Sequence, residues 1–186
     1  DTVWGGEGQP PYPGYANNTI TNQGTLIIEN ATIENKTSKG GASYVIDNYA
    51  GANLIINEGA VLTQSGGDIA IRMFNGGSGA INVTINGGTI SGYRAVWIQL
   101  ASNTATVAPI MNLTVNGGDL DICGLGADRD LTVNGGRIYV NFTETGDQSA
   151  VNSGSFTMNG GELTVYSKCY GIHSKSTFTV NGGKLY

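Results

Sequence analysis

The phrase Val-Asn-Gly-Gly keeps returning along this chain. It stands at Val115-Asn116-Gly117-Gly118, Val133-Asn134-Gly135-Gly136 and Val180-Asn181-Gly182-Gly183. Near copies are Ile85-Asn86-Gly87-Gly88 and Met158-Asn159-Gly160-Gly161, and Ile56-Asn57-Glu58-Gly59 is a decayed one. Repetition at a period of about 20–50 residues marks a solenoid or a propeller, because one such unit cannot bury its apolar face alone.

Aligning the copies on the Asn gives a column of Glu29, Asn57, Asn86, Asn116, Asn134, Asn159 and Asn181. One residue earlier the chain reads Ile28, Ile56, Ile85, Val115, Val133, Met158 and Val180. Three residues earlier it reads Leu26, Leu54, Val83, Leu113, Leu131, Phe156 and Phe178. Between them lies a position that is Thr in Thr84, Thr114, Thr132, Thr157 and Thr179. Apolar and polar residues alternating with period two describe a strand with one buried face. Asn-Gly-Gly then turns the chain, since Gly and Asn tolerate positive φ. Four residues after the Asn comes an aliphatic: Ile33, Val61, Ile90, Leu120, Ile138, Leu163 and Leu185. A third aliphatic column reads Ile20, Ile46, Ile71, Val96, Ile122, Val151 and Ile172.

Three short strands and three corners in about 25 residues make one turn of a parallel β-helix, each turn stacked about 4.8 Å above the last. The fold expected is all-β: a single-stranded right-handed parallel β-helix of about seven turns over residues 19–186, with residues 1–18 as an N-terminal cap or arm. Steps of 28, 29, 30, 18, 25 and 22 residues between Asn-column positions suit a β-helix, whose corners accept insertions. A leucine-rich repeat needs its own leucine frame, and a propeller needs hairpin turn signals every 8–12 residues or so. The chain stops at Tyr186 inside a repeat, which reads as a cut from a longer protein or an end that another module covers.

Composition narrows function by exclusion. The net charge of −5 offers no basic stripe for nucleic-acid phosphates. No apolar run reaches the length of a membrane span. Charged residues are 12% of the chain, so Asn and Thr must cover much of the surface. That composition points to an extracellular or cell-surface location.

The L-T-V-N-G-G-x-I pattern across residues 19–186 resembles the right-handed β-helix repeats of secreted and surface proteins of Gram-positive gut and cellulolytic bacteria. It looks most like the carbohydrate-binding β-helix proteins, relatives in shape of the pectate lyases. The resemblance implies a solenoid outside the cell with polysaccharide as the partner class.

Candidate sites come from the residues themselves. The Asn column should form a ladder of side-chain amides. The outward position beside it reads Thr32, Ala60, Thr89, Asp119, Arg137, Glu162 and Lys184, whose alternating charges attract along the stack. The lengths from the third column to the Asn column peak at 15 and 20 residues, so residues 72–82 and 97–112 are expected to bulge side by side. They hold Trp97, Phe74, Arg72, Asn75 and Asn103, with Arg94 nearby, an aromatic edge flanked by hydrogen-bond donors that suits a sugar. Asp119, Asp121, Asp128 and Asp130 form the densest acidic cluster and are the candidate calcium ligands, calcium being the one cofactor considered. The single His, His173, stands in an outward column with Thr21, Asp47, Arg72, Trp97, Cys123 and Asn152, and no Ser or Asp accompanies it as a catalytic partner would.

The leading expectation is a non-catalytic, adhesin-like module that binds a polysaccharide or a host surface glycoprotein, or a host protein such as an immunoglobulin. Against it stand a polysaccharide lyase or hydrolase fragment and a structural stalk that self-associates end to end.

Overall fold

The computed structural model describes residues 18–37, 43–74, 79–99, 110–143 and 148–186, of which 67–68 and 93–99 are described by backbone alone. Among the described residues every regular element is a strand, and the strands pair in parallel. The chain forms the parallel β-helix that its repeats foretell. The Leu-Thr-Val segments stack into one seven-stranded sheet, the first face. Its rungs, numbered here from the N-terminal end, run from Thr25–Ile28 through Asn53–Ile56, Ile81–Ile85, Met111–Val115, Asp130–Val133 and Ser155–Met158 to Phe178–Val180. The segments after each Asn-Gly-Gly turn form the second face, and the third aliphatic column forms the third. These two faces join into one twelve-stranded sheet. They do so because Val61–Phe74 and Thr89–Gln99 run through both as continuous strands, with a register shift between Gln64 and Ile69.

Burial follows the predicted alternation. Leu54, Val83, Leu113, Leu131 and Phe156 are buried in register, as are Ile56, Ile85, Val115, Val133 and Met158. Phe178 stacks on Phe156 with ring centroids 4.9 Å apart, close to the rung spacing. Each such aliphatic adds about 1.5–3 kcal/mol by leaving water, so the bore supplies most of the driving force.

Two alignments differ from the sequence reading. The second-rung turn carries one extra residue, Asn57-Glu58-Gly59-Ala60. Leu62 therefore sits in register with Ile33 and Ile90, while Val61 takes the outward place assigned to Ala60, which is buried. In the shortest repeat, Ile122 pairs with Gly92 and Val140 on the second face. The third-face position belongs to Leu125, which pairs with Val96 and Val151. Gly126, in register with Asn152, therefore replaces Cys123 in the outward column. Only Cys123 and Gly124 separate the two strands there, too short a connection for the spacing rule inferred from the longer coils.

The Asn column is a continuous ladder with one direction. Each Nδ2 donates to the Oδ1 of the rung below: Asn86 to Asn57 at 2.9 Å, and Asn116 to Asn86, Asn134 to Asn116, Asn159 to Asn134 and Asn181 to Asn159 at 2.8 Å. At the bottom Asn57 donates to the Glu29 carboxylate at 3.4 Å. The lowest position needs only an acceptor, which is why Glu substitutes for Asn there. The two glycines serve different needs. A Cβ on Gly117 would lie 2.6 Å from the Asn86 carbonyl oxygen below it, so the first glycine permits turn to stack on turn. Gly136 has φ +86°, and a Cβ there would also meet the Gly118 oxygen at 2.9 Å. The second glycine answers to conformation as well as space.

A shorter ladder, not foreseen, runs up the first face: Asn82 donates to Asn53 at 2.9 Å and Asn112 to Asn82 at 3.0 Å. It stops because the next rung offers Asp130, one residue before the Leu131–Leu113 pair, and a carboxylate has no proton to donate. The Oδ1 of Asn112 is left buried without a partner.

Two stability predictions follow from the ladders. Asn116→Ala removes one donated and one accepted bond and should cost about 1–2 kcal/mol. Asp130→Asn supplies the missing donor to Asn112 and should raise stability by about 1 kcal/mol, a gain of a few degrees in melting temperature. Calorimetry of the two variants beside the parent checks both signs.

Candidate functional site

The third face carries the residues singled out in the sequence. Asp47 lies in register between Thr21 and Arg72, both on strands whose alternate residues fill the bore. Arg72 donates through Nε to Asp47 Oδ1 at 2.7 Å and through Nη2 to Oδ2. Asn18 adds a bond to the same carboxylate at 2.8 Å. Asp47 is fully buried and Arg72 is 8% exposed.

The burial has a traceable cause. Asn35 donates to the Tyr44 carbonyl at 2.8 Å, and Gln64 donates to the Ser43 carbonyl at 2.9 Å. These bonds draw Ser43 and Tyr44 back against the rod. The Tyr44 ring then lies 4.2 Å from the Arg72 guanidinium carbon, and the Phe74 ring lies 4.3 Å from it. Tyr49 closes the group edge-on to Phe74 at 5.2 Å. Burial works against the charge on Arg72, but the hydrogen bond and charge of Asp47 outweigh it and raise the guanidinium pKa.

Asp47 and Arg72 keep the outward register that alternation gives them, but other side chains cover them. Arg72 is buried between Asp47 and the Tyr44 and Phe74 rings, while Phe74 itself remains partly exposed. Trp97 has Arg72 as its backbone neighbour and Arg94 has Ile69, but their side chains are not among those described. Asn75 and Asn103 lie outside the described residues, as does residue 1–17 of the expected cap.

The four acidic residues are spread over the rod. Asp119 and Asp121 sit on one second-face strand, while Asp130 begins a first-face strand with Asp128 just before it. Asp119 accepts two bonds from Arg137 Nη2, at 2.6 and 2.7 Å. That carboxylate holds the Arg137 pKa above its ordinary value. Asp128 meets Lys175 at 3.3 Å. Among the described residues no group of three or more His, Cys, Asp or Glu side chains converges as a metal site. His173 is exposed beside Asn152, with Gly126 one rung further down, so no carboxylate stands in register with it.

The second face presents what the sequence reading passed over. Its outward positions on the upper rungs bring together Tyr139, Tyr166 and Tyr186. Tyr139 lies in register with Asp121 below and Thr164 above. Tyr186 continues that line, since its N–H donates to the Leu163 carbonyl and its own carbonyl accepts from Val165. Tyr166 stands one outward position along, in register with Asn141, and tilts against Tyr139 with centroids 5.8 Å apart. Tyr166 is 60% exposed. The charged column Asp119, Arg137, Glu162 and Lys184 borders them in register. The available signal was tyrosine at even offsets from that column.

Comparison with family models, with curated proteins and with solved structures gives no match.

The buried pair should behave as a structural lock. Asp47→Asn, which leaves Arg72 charged and buried, should cost about 3–5 kcal/mol. Asp47→Leu combined with Arg72→Met should recover most of that loss. Denaturant titration of both variants tests the point: equal stability of Asp47→Asn and the parent would show the pair to be dispensable.

Proposed function

We propose that this chain is a non-catalytic, extracellular, adhesin-like β-helix that binds a glycan or a host surface component through its second face. The observation that carries the reading is the outward group Tyr139, Tyr166 and Tyr186, with Tyr166 mostly exposed on a regular sheet. Large aromatic rings rarely stand together in water on the outer face of a sheet without a partner to meet. A ring face stacks on the C–H face of a sugar, and the phenol hydroxyl offers a hydrogen bond at its edge.

The rigid stack supports the same reading. Successive rungs fix the backbone at set intervals, so little backbone freedom is lost when a ligand is bound. The resemblance to carbohydrate-binding β-helix repeats of secreted bacterial proteins favours a polysaccharide over a protein partner. A lyase or hydrolase reading gains less, because Asp47 is buried against Arg72 while Asp119 and Asp128 each hold a cation.

A glycan array probed with the parent and with a Tyr139→Ala, Tyr166→Ala double variant tests the proposal. Binding should fall about tenfold or more in the double variant, the loss of one to two ring contacts. Binding unchanged in that variant, or no binding to any glycan or host-surface preparation, would contradict it.

A further inference from the structure

Resting on the glycan-binding reading of the second face, we infer that the ligand is an extended, uncharged polysaccharide lying along the rod axis. The direction comes from the distribution of the rings. Tyr139, Tyr166 and Tyr186 belong to three successive strands of the face. No single strand contributes two of them, so a ligand lying along one strand meets one ring, and only a ligand crossing rungs meets several.

Tyr139, Thr164 and Tyr186 form one line up the stack, with the small Thr164 between the two rings. Two rungs separate the rings, roughly 9.6 Å at the usual strand spacing. The line runs between two walls, Glu162 on one side and Tyr166 on the other, each one outward position from Thr164 on the same strand. In an extended chain with near two-fold symmetry, alternate sugars turn over, so every second residue presents the same face. Two outward tyrosines of one column, separated by a small residue, match that alternation. The Thr164 hydroxyl lies between them to meet the intervening sugar.

Charge sets the class of polymer. The bordering column reads Asp119, Arg137, Glu162 and Lys184, two negative and two positive side chains in alternation. Arg137 is already held by both oxygens of Asp119. A polyanion such as a polyuronate or a sulfated chain would pass Glu162 and Asp121 as closely as Lys184, and the chain's net charge of −5 adds repulsion. An uncharged chain meets no such penalty, and its hydroxyls both donate and accept, as do those of Tyr and Thr.

The test is affinity electrophoresis of the folded chain through gels holding soluble neutral β-linked glucan, mannan or xylan, or else polygalacturonate or a sulfated glycan. It is paired with titration of neutral oligosaccharides of increasing length. Tyr166→Ala and Tyr186→Ala are compared with the parent after their melting temperatures are shown to match it. Retardation by at least one neutral polymer is expected, insensitive to salt. Affinity should rise with oligosaccharide length until both line tyrosines are spanned, and Tyr186→Ala should remove that rise, an effect of about tenfold. Tyrosine-dependent binding confined to the anionic polymers, and weakened by salt, would overturn this inference and leave glycan binding standing. No tyrosine-dependent binding to any polysaccharide would overturn both.

Discussion

Everything in this rod depends on identical turns resting directly on one another. The backbone hydrogen bonds of a parallel stack fix the spacing between rungs, but they do not by themselves fix the register. The Asn-Gly-Gly turn does. The first glycine lets the turn lie against the carbonyl of the turn below, where a Cβ on Gly117 would be only 2.6 Å from the Asn86 oxygen. The amide ladder then binds each turn to the next in one direction, with Nδ2 always pointing toward the N-terminal end. A slip of one residue would break these bonds and turn every bore residue toward water.

That division of labour leaves the outer surfaces available for other roles. The bore supplies the apolar driving force, and the ladder supplies register. The outward positions of the second face need do little for stability, so their residues can answer to a ligand. The third face differs: its lower part is covered by Tyr44, Tyr49 and Phe74, which enclose the Asp47–Arg72 pair. Breaking such a pair is costly, yet its formation adds little over an apolar equivalent. Its evident role is to lock the lower coils, where Asn35 and Gln64 also tie the corner at Ser43 and Tyr44.

The fold was legible because strand alternation and turn chemistry are local signals repeated many times. Errors fell where a repeat departed from the consensus length. Column spacing puts Ile122 on the third face, but the connection to Leu125 is only two residues long and Ile122 lies on the second. Column spacing puts Val61 in the bore, but the turn at Asn57 holds one more residue than its neighbours and Leu62 takes that place. The candidate site was much less legible. Alternation assigned Arg72 and Asp47 to the outside of the strand but could not reveal that Tyr44 and Phe74 would fold over them. Carboxylates close in sequence, Asp119 to Asp130, went to two different faces because the turn at Cys123 and the corner at Asp128 come between them. Tyr139, Tyr166 and Tyr186 are readable in principle, since each stands two or four residues after a charged residue of the outward column. Those spacings become a surface only once the rungs are stacked in register.

The most direct test of the ladder is side-chain amide hydrogen exchange, followed by NMR for Asn86, Asn116, Asn134 and Asn159. In each, one Nδ2 proton is committed to the rung below and one is exposed to water. The account predicts two classes at every one of these residues, a protected proton and a fast one, with protection lost together as the rod unfolds. Uniformly fast exchange at all four, at the rate of a free asparagine amide, would contradict it.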